Sequence, residues 1–353
     1  QTIGTFSFSN KGYDEVRPLE LLMLYNKDLK AEQNKSMDAG LTLELFHRIT
    51  FDANWYNRIT EEALLDVPIA TSTGYQFMKR NVGILQNNGI ELGFNVRIID
   101  NYDSRLNLRA NFCYNRNKVI DLYDGNRLYT NEDDILPTYE VGKSYDMLYG
   151  LHSLGINPLT GYPVFKTPDG KEKQASEFLT KSDFQSLGHL TPPYNGGLNV
   201  DFQYKEFEMN VGFYYTLSGI RQFDYKYVRN KDNANKNAIA GLTEHMWFKQ
   251  GDEHKIYPTP YYANSVAEEN MALYATSRTV GSSNMLKLSM VSLRYRIAGK
   301  WLEKHLPFLQ FASVGFQGSN LYTWTSFKES DPESGKLSGT LQPVFTFNMN
   351  LTF

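Results

Sequence analysis

Few residues in this chain are spaced for catalysis. His47, His152, His189, His245, His254 and His305 are scattered, with no H-x-x-x-H or H-E-x-x-H spacing to set two imidazoles on one helix face around zinc. Adjacent carboxylates occur at Asp133–Asp134 and Glu268–Glu269. Both pairs lie in polar stretches, where neighbouring acids read as solvated surface rather than as an acid/base pair across a scissile bond. No G-x-S-x-G elbow and no P-loop occurs. The single cysteine, Cys113, excludes an internal disulfide framework and a cysteine-based metal cluster. The chemistry on offer is therefore recognition, without metal, cofactor or catalytic set. Its strongest carriers are aromatics in two long irregular stretches: Tyr145 and Tyr149 in the first, and Tyr225, Tyr227, Trp247, Tyr261 and Tyr262 in the second. Aromatic faces beside polar groups stack on sugar rings, clasp peptides or anchor protein interfaces. For any single residue, packing of a large loop against itself is the favoured account; as a group they are expected to line an outer vestibule or meet a partner protein.

Such loops need elements to carry them, and the carriers alternate with a period of two. From Leu341 to Phe353, one set of residues is Phe345, Phe347, Met349, Leu351 and Phe353; the other is Thr346, Asn348, Asn350 and Thr352. The same pattern runs through residues 37–45, 49–56, 90–98, 106–115, 198–204 and 207–218. Residues 2–9 read as a further strand already in progress, which suits a piece of a larger wall. Residues 285–297 and 308–324 also alternate, with slips of phase expected at Met290–Val291 and at Phe311–Ala312, as β-bulges produce. About ten strands result.

Period two alone suits either a soluble sandwich, with its core on one side, or a membrane barrel, with lipid outside and a wet lumen. The connections decide. Short links near 46–48, 99–104, 204–206 and 299–307 alternate with long ones at 10–35, 57–88, 116–192, 221–284 and 326–340. Outer-membrane barrels have short periplasmic turns and long extracellular loops, whereas a sandwich has no reason for such regularity. Tyr 24 and Phe 22 in a chain of mean hydropathy −0.47 suit aromatic girdles around a polar bore. A net charge of −3 gives no basis for nucleic-acid binding. No apolar run is long enough for a membrane helix, which does not bear on a barrel. The polar faces supply lumen candidates: Asn95, Arg97, Asn107, Arg109, Asn199, Asp201, Asn210, Asn348 and Asn350. Trp55, Tyr114, Tyr204, Tyr295 and Trp324 sit at strand ends, as girdle residues do.

Several segments, in order, resemble the carboxy-terminal part of SusC/RagA-like TonB-dependent outer-membrane transporters. They are Leu29–Gln33 with Ala39–Leu41, Asn54–Thr60, Asn81–Gly83 with Asn88–Glu91, and Gly155–Gly161 with Asp169–Gly170. Pro193–Gly197, Met285–Tyr295, and Gly318–Tyr322 with Asp331–Glu333 follow. The resemblance spans essentially the whole chain. It implies that residues 1–353 are the last ten or so strands of a plugged antiparallel barrel of about 22 strands, with the plug and earlier strands elsewhere. It also implies import of a glycan or oligopeptide, energy passed through TonB, a SusD-like surface lipoprotein as lid, and contact with the lipid bilayer and lipopolysaccharide. Phe353 resembles the terminal aromatic that outer-membrane assembly machinery reads. One loop departs from the family's acidic D-x-D-G turn: Lys166–Gly170 reads KTPDG, which argues against a calcium-like site there. Three rival readings remain: a transporter paralogue serving as a scaffold in an envelope assembly, a soluble glycan-binding β-sandwich, and an outer-membrane hydrolase, for which no catalytic set is found.

Overall fold

The computed structural model of the chain describes residues 5–8, 19–23, 26–75, 77–123, 125–129, 136–174, 180–222, 242–257, 276–327, 331–333 and 341–353. Nine strands form one antiparallel sheet: β1 Gln33–Leu45, β2 Ile49–Glu61, β3 Ile84–Asp100, β4 Ser104–Asp121, β5 Tyr194–Tyr204, β6 Phe207–Leu217, β7 Met285–Arg296, β8 Phe311–Thr325 and β9 Val344–Thr352. Each strand bonds only to its neighbours in sequence, so the sheet is a meander from β1 to β9. Among the described residues the edges of β1 and β9 bond to no further strand, and every residue of both is exposed. The expected strand at residues 2–9 is not part of this wall. Thr5–Phe8 pairs instead with Leu19–Met23 in a separate two-stranded sheet. An eight-residue alternation identifies a strand without identifying its partner.

Directly opposed residues share a face, and the pairing keeps the two faces distinct across the wall. On one face Ala53 opposes Leu92, Leu92 opposes Phe112, Leu108 opposes Val200, Val200 opposes Val211, and Phe316 opposes Phe347. This face is apolar and uncovered: Phe94 is 44% exposed and Phe347 70%. Its rings pack side by side, Phe51 against Phe94 at 4.7 Å and Phe316 against Phe345 at 5.9 Å. Two compact apolar clusters among the described residues lie away from the middle of the wall. One (Ala63, Leu65, Val119, Leu122, Leu128) sits among the long links, and another (Leu302, Leu309, Ala312) at a short link. A sandwich would bury Phe345, Phe347 and Met349; here they are among the most exposed apolar residues.

Strands outrun the sequence-based ranges at the long-link end, where polar residues replace apolar ones on the outer face. Tyr114 is followed there by Arg116 and Lys118, and Ile90 is preceded by Asn88 and Gln86. The apolar belt on β5 runs from Tyr194 to Tyr204. Ten steps of roughly 3.3 Å, tilted by roughly 40°, give about 25 Å, the height of an outer-membrane apolar band.

The alternation of link lengths holds. Tight turns join β1 to β2, β3 to β4, and β5 to β6; Gly299–His305, a short helix, joins β7 to β8. The long links fold into small sheets of their own, such as Leu64–Pro68 with Phe77–Asn81 and His152–Ile156 with Pro163–Lys166 and Glu172–Gln174. The slip in β7 falls at Ser289, one residue before the expected place: Gly212 opposes Met290 while Phe213 opposes Leu288. No slip occurs at Phe311–Ala312, which pair regularly with Thr352 and Leu351. Phe311 breaks the alternation because it lies at the strand's end, beyond the stretch where one face must stay polar. The irregularity in β8 lies at Asn320, whose φ of 54° is left-handed.

Candidate functional site

The polar face brings seven of the nine lumen candidates into two adjacent rows. Asn95 opposes Arg109, which opposes Asn199. At the next position on that face Arg97 opposes Asn107, Asn107 opposes Asp201, and Asp201 opposes Asn210. Antiparallel pairing sets such residues about 5 Å apart, within reach of one another's side chains. Asp201 is the hub. Its Oδ2 accepts from Arg109 Nε at 3.0 Å and Nη2 at 2.7 Å, and its Oδ1 accepts from Asn210 Nδ2. Toward the short links, Glu208 pairs with Arg294 at 3.4 Å and with Arg296 at 3.2 Å. A recess of about 400 Å³ runs along Asn107, Asp201, Gln203, Glu208, Asn210 and Arg294. Its charges are balanced and water-exposed, so the ion pairs fix geometry more than they stabilise. The Oδ1 atoms of Asn95, Asn107 and Asn210 are buried without a partner among the described residues.

Asn348 and Asn350 stand apart from this cluster. They oppose Gly315 and Ser313, which in turn oppose Arg294 and Arg296. They therefore share rows with those arginines, one strand removed. Glu208, Arg294 and Arg296 were not singled out from sequence. Alternation sets Glu208 on the polar face of β6 beside Asn210; the slip at Ser289 hides the phase of β7, and carrying the alternation back from Arg296 through Ser292 is the signal that finds the two arginines.

The loop aromatics do not come together as one set. Tyr145 is exposed, and its amide donates to Asn117 Oδ1 at 2.9 Å. Tyr149 is buried at 4% exposure, so it presents no ring to solvent; burial and the Glu140 carboxylate push its phenol well above the ordinary range. Trp247 is partly buried beside Tyr257, whose carbonyl accepts its amide at 3.0 Å. Tyr225, Tyr227, Tyr261 and Tyr262 lie outside the described residues, as do Asp133, Asp134, Glu268 and Glu269. Phe353 is exposed and stacks near Phe308 at 6.4 Å. Among the described residues no group of three His, Cys, Asp or Glu is placed to hold a metal.

Most of the segments that carry the family resemblance do structural work. The Asn81 side chain donates to the Lys30 carbonyl at 2.8 Å and the Glu62 carbonyl at 3.0 Å, and accepts the Lys30 amide at 2.7 Å. Glu32 accepts the Leu64 amide at 2.7 Å. The segments around Lys30 and Asn81 thus tie one loop together. Lys287, nearly buried on the polar face of β7, pairs with Glu333 at 2.6 Å, while Arg221 holds the Glu333 carbonyl at 2.7 Å. This docks residues 331–333 on the wall. The Asp169 carboxylate caps its own turn: a hydrogen bond from Thr167 and the Lys171 ammonium hold it well below the usual range, at about 2. It is engaged within the turn.

No family model matches the chain. In sequence it is 27% identical to TonB-dependent receptor P3 of Formosa agariphila, covering 95% of this chain and 34% of that protein. It is 21% identical to TonB-dependent receptor SusC of Bacteroides thetaiotaomicron, covering 98% of this chain and 34% of that one. The chain thus spans about a third of the length of these relatives. In fold it matches a chain of the RagAB peptide importer in its closed-closed state with a TM-score of 0.77, at 21% identity, over 99% of this chain and 38% of that one. The nine-stranded wall has therefore a counterpart within an importer's barrel.

Proposed function

We propose that this SusC/RagA-like chain of the bacterial outer membrane forms one sector of a TonB-dependent importer's barrel. The sector is the carboxy-terminal part of a plugged barrel of about 22 strands. One observation carries this reading: an unbroken apolar face and a hydrogen-bonded polar face run across nine strands, with every short link at one end. A sheet in hydrocarbon must leave no open edge, so further strands complete it on both sides. The polar rows around Asp201 line the bore. The small sheets of the long links form the outer mouth, where a SusD-like lipoprotein closes over the cargo. TonB acts through other parts of the protein. The cargo is an oligopeptide or a glycan; similarity to a peptide importer supports the first.

Two experiments test this. In the full protein with Cys113→Ser, single cysteines are placed at Leu108 and Val200 and at Asn107 and Asn199. A lipid-confined label should reach the first pair and a water-soluble label the second. Equal labelling of both pairs ends the barrel reading. Deletion of the gene should abolish uptake of fluorescent oligopeptides or of oligosaccharides, and a protonophore should do the same. Undiminished uptake of both classes refutes import.

A further inference from the structure

We propose that a pocket at the long-link margin of the apolar belt binds the phosphate group of an outer-leaflet lipid; this rests on the membrane reading of the wall. The pocket arises because neighbouring strands differ in length. β5 begins at Tyr194, while β4 continues to Asp121. The Asn115 amide still bonds the Pro193 carbonyl at 2.9 Å. Further up, β4 is bonded by another segment: the Val119 amide donates to the Lys143 carbonyl at 2.8 Å, and the Tyr145 amide to Asn117 Oδ1 at 2.9 Å. Between these attachments lies a space of about 420 Å³ lined by Arg116, Lys143 and His189, with Tyr114 and Tyr194 below.

Its height in the wall points to the ligand. Tyr114 and Tyr194 stack at 4.9 Å and are the last aromatic residues of the outer face on β4 and β5. Arg116 is the next outer-face residue of β4, exposed and opposite Asn88. Interfacial aromatics mark the level of lipid headgroups. No carboxylate lines the pocket, and among the described residues neither Arg116 nor Lys143 has an acidic partner. The Asp146 carboxylate, on the same segment as Lys143, is taken up by Ser144 Oγ and by the Thr191 amide at 2.7 Å. His189 lines the same space. Two cations and an imidazole ring lining one space suit a phosphate, which accepts several charge-assisted hydrogen bonds at once. Two other recesses differ. The one along Asp201 and Glu208 balances acids against arginines, and one near Lys30 sets Asp28 and Glu62 beside Arg80.

The test uses the full protein extracted from its outer membrane into mild detergent, with native mass spectrometry as readout. Probes are a diphosphoryl lipid, its dephosphorylated form and inorganic phosphate. The wild type should bind the diphosphoryl lipid, and Arg116→Gln/Lys143→Gln should bind it roughly tenfold more weakly or worse. Lys300→Gln/Lys304→Gln, which removes equal charge at the opposite margin, should bind as the wild type does. The dephosphorylated lipid should bind the wild type no better than it binds the pocket variant. Unchanged lipid binding by the pocket variant overturns the assignment. Equal affinity for inorganic phosphate and for the lipid assigns the site to free anions and overturns the lipid. Failure of the alternating labelling described above would remove the membrane reading itself; with that pattern intact, a negative result removes only the pocket.

Discussion

At the scale of single residues, the close contacts have calculable consequences. A Cβ at Gly89 would lie 2.3 Å from the Tyr114 carbonyl oxygen and 2.5 Å from the Tyr56 hydroxyl. Tyr56 is buried over this glycine and donates to Asn115 Oδ1 at 2.9 Å. Gly89→Ala should therefore destabilise the wall by about 1–3 kcal/mol, read from the urea midpoint of the refolded protein. Adding Tyr56→Ala should recover only part of this, because the carbonyl remains. In the long link between β4 and β5, burial works to raise the Asp183 carboxyl. Hydrogen bonds from Lys173 and Thr180 outweigh burial and hold it below the usual carboxylate range. A depressed folded pKa contributes stability above the ordinary aspartate value of about 4, and that stability is lost as pH falls below it. Proteolysis of this loop should accelerate as pH drops through that window in the wild type. Asp183→Asn should be cut faster at neutral pH and show a smaller acceleration, since Asp146 and Asp169 in the same link are also held low. The pattern located Asn95, Arg109 and Asp201 on one face, because alternation fixes sidedness. It could not show that Asp201 gathers both Arg109 and Asn210, which depends on register between strands far apart in sequence.

At the scale of elements, the bulge at Ser289 keeps β7 in phase with both neighbours. Below it Leu293 and Val291 face outward; above it Leu288 and Leu286 do so, and Lys287 faces the bore to meet Glu333. Deleting Ser289 forces either Lys287 outward or Leu293 inward. A lysine facing the lipid costs about 2–4 kcal/mol near the midplane and less toward the margin. The yield of heat-modifiable, assembled protein should fall sharply, and adding Lys287→Leu should restore much of it. The alternation in the sequence showed that a slip existed but misplaced it by one residue, since Ser289 and Met290 fit either phase. It also read a slip into Phe311–Ala312, where only a change of environment exists. Strand ends at the long links extend beyond the alternating ranges, because Asn57, Gln86 and Lys118 carry no outward apolar signal once the strands rise beyond the belt.

For the molecule as a whole, the apolar belt should behave as one surface. Leu108→Arg sits near its middle and should reduce stability in phosphatidylcholine vesicles by about 2–4 kcal/mol, whereas Asn107→Arg, one residue away on the wet side, should be nearly neutral. Equal penalties would contradict the sidedness of the wall. That sidedness was legible from the first alternation, and the link lengths distinguished barrel from sandwich. The small sheets of the long links were not legible, because their strands of two to five residues carry too little pattern. The meander has a last consequence. Since every strand bonds only to its chain neighbours, excising a whole hairpin returns the polypeptide to the side it left and spares every remaining phase, while losing a single strand inverts all that follows. A wall of this kind can widen or narrow over evolutionary time only in steps of two.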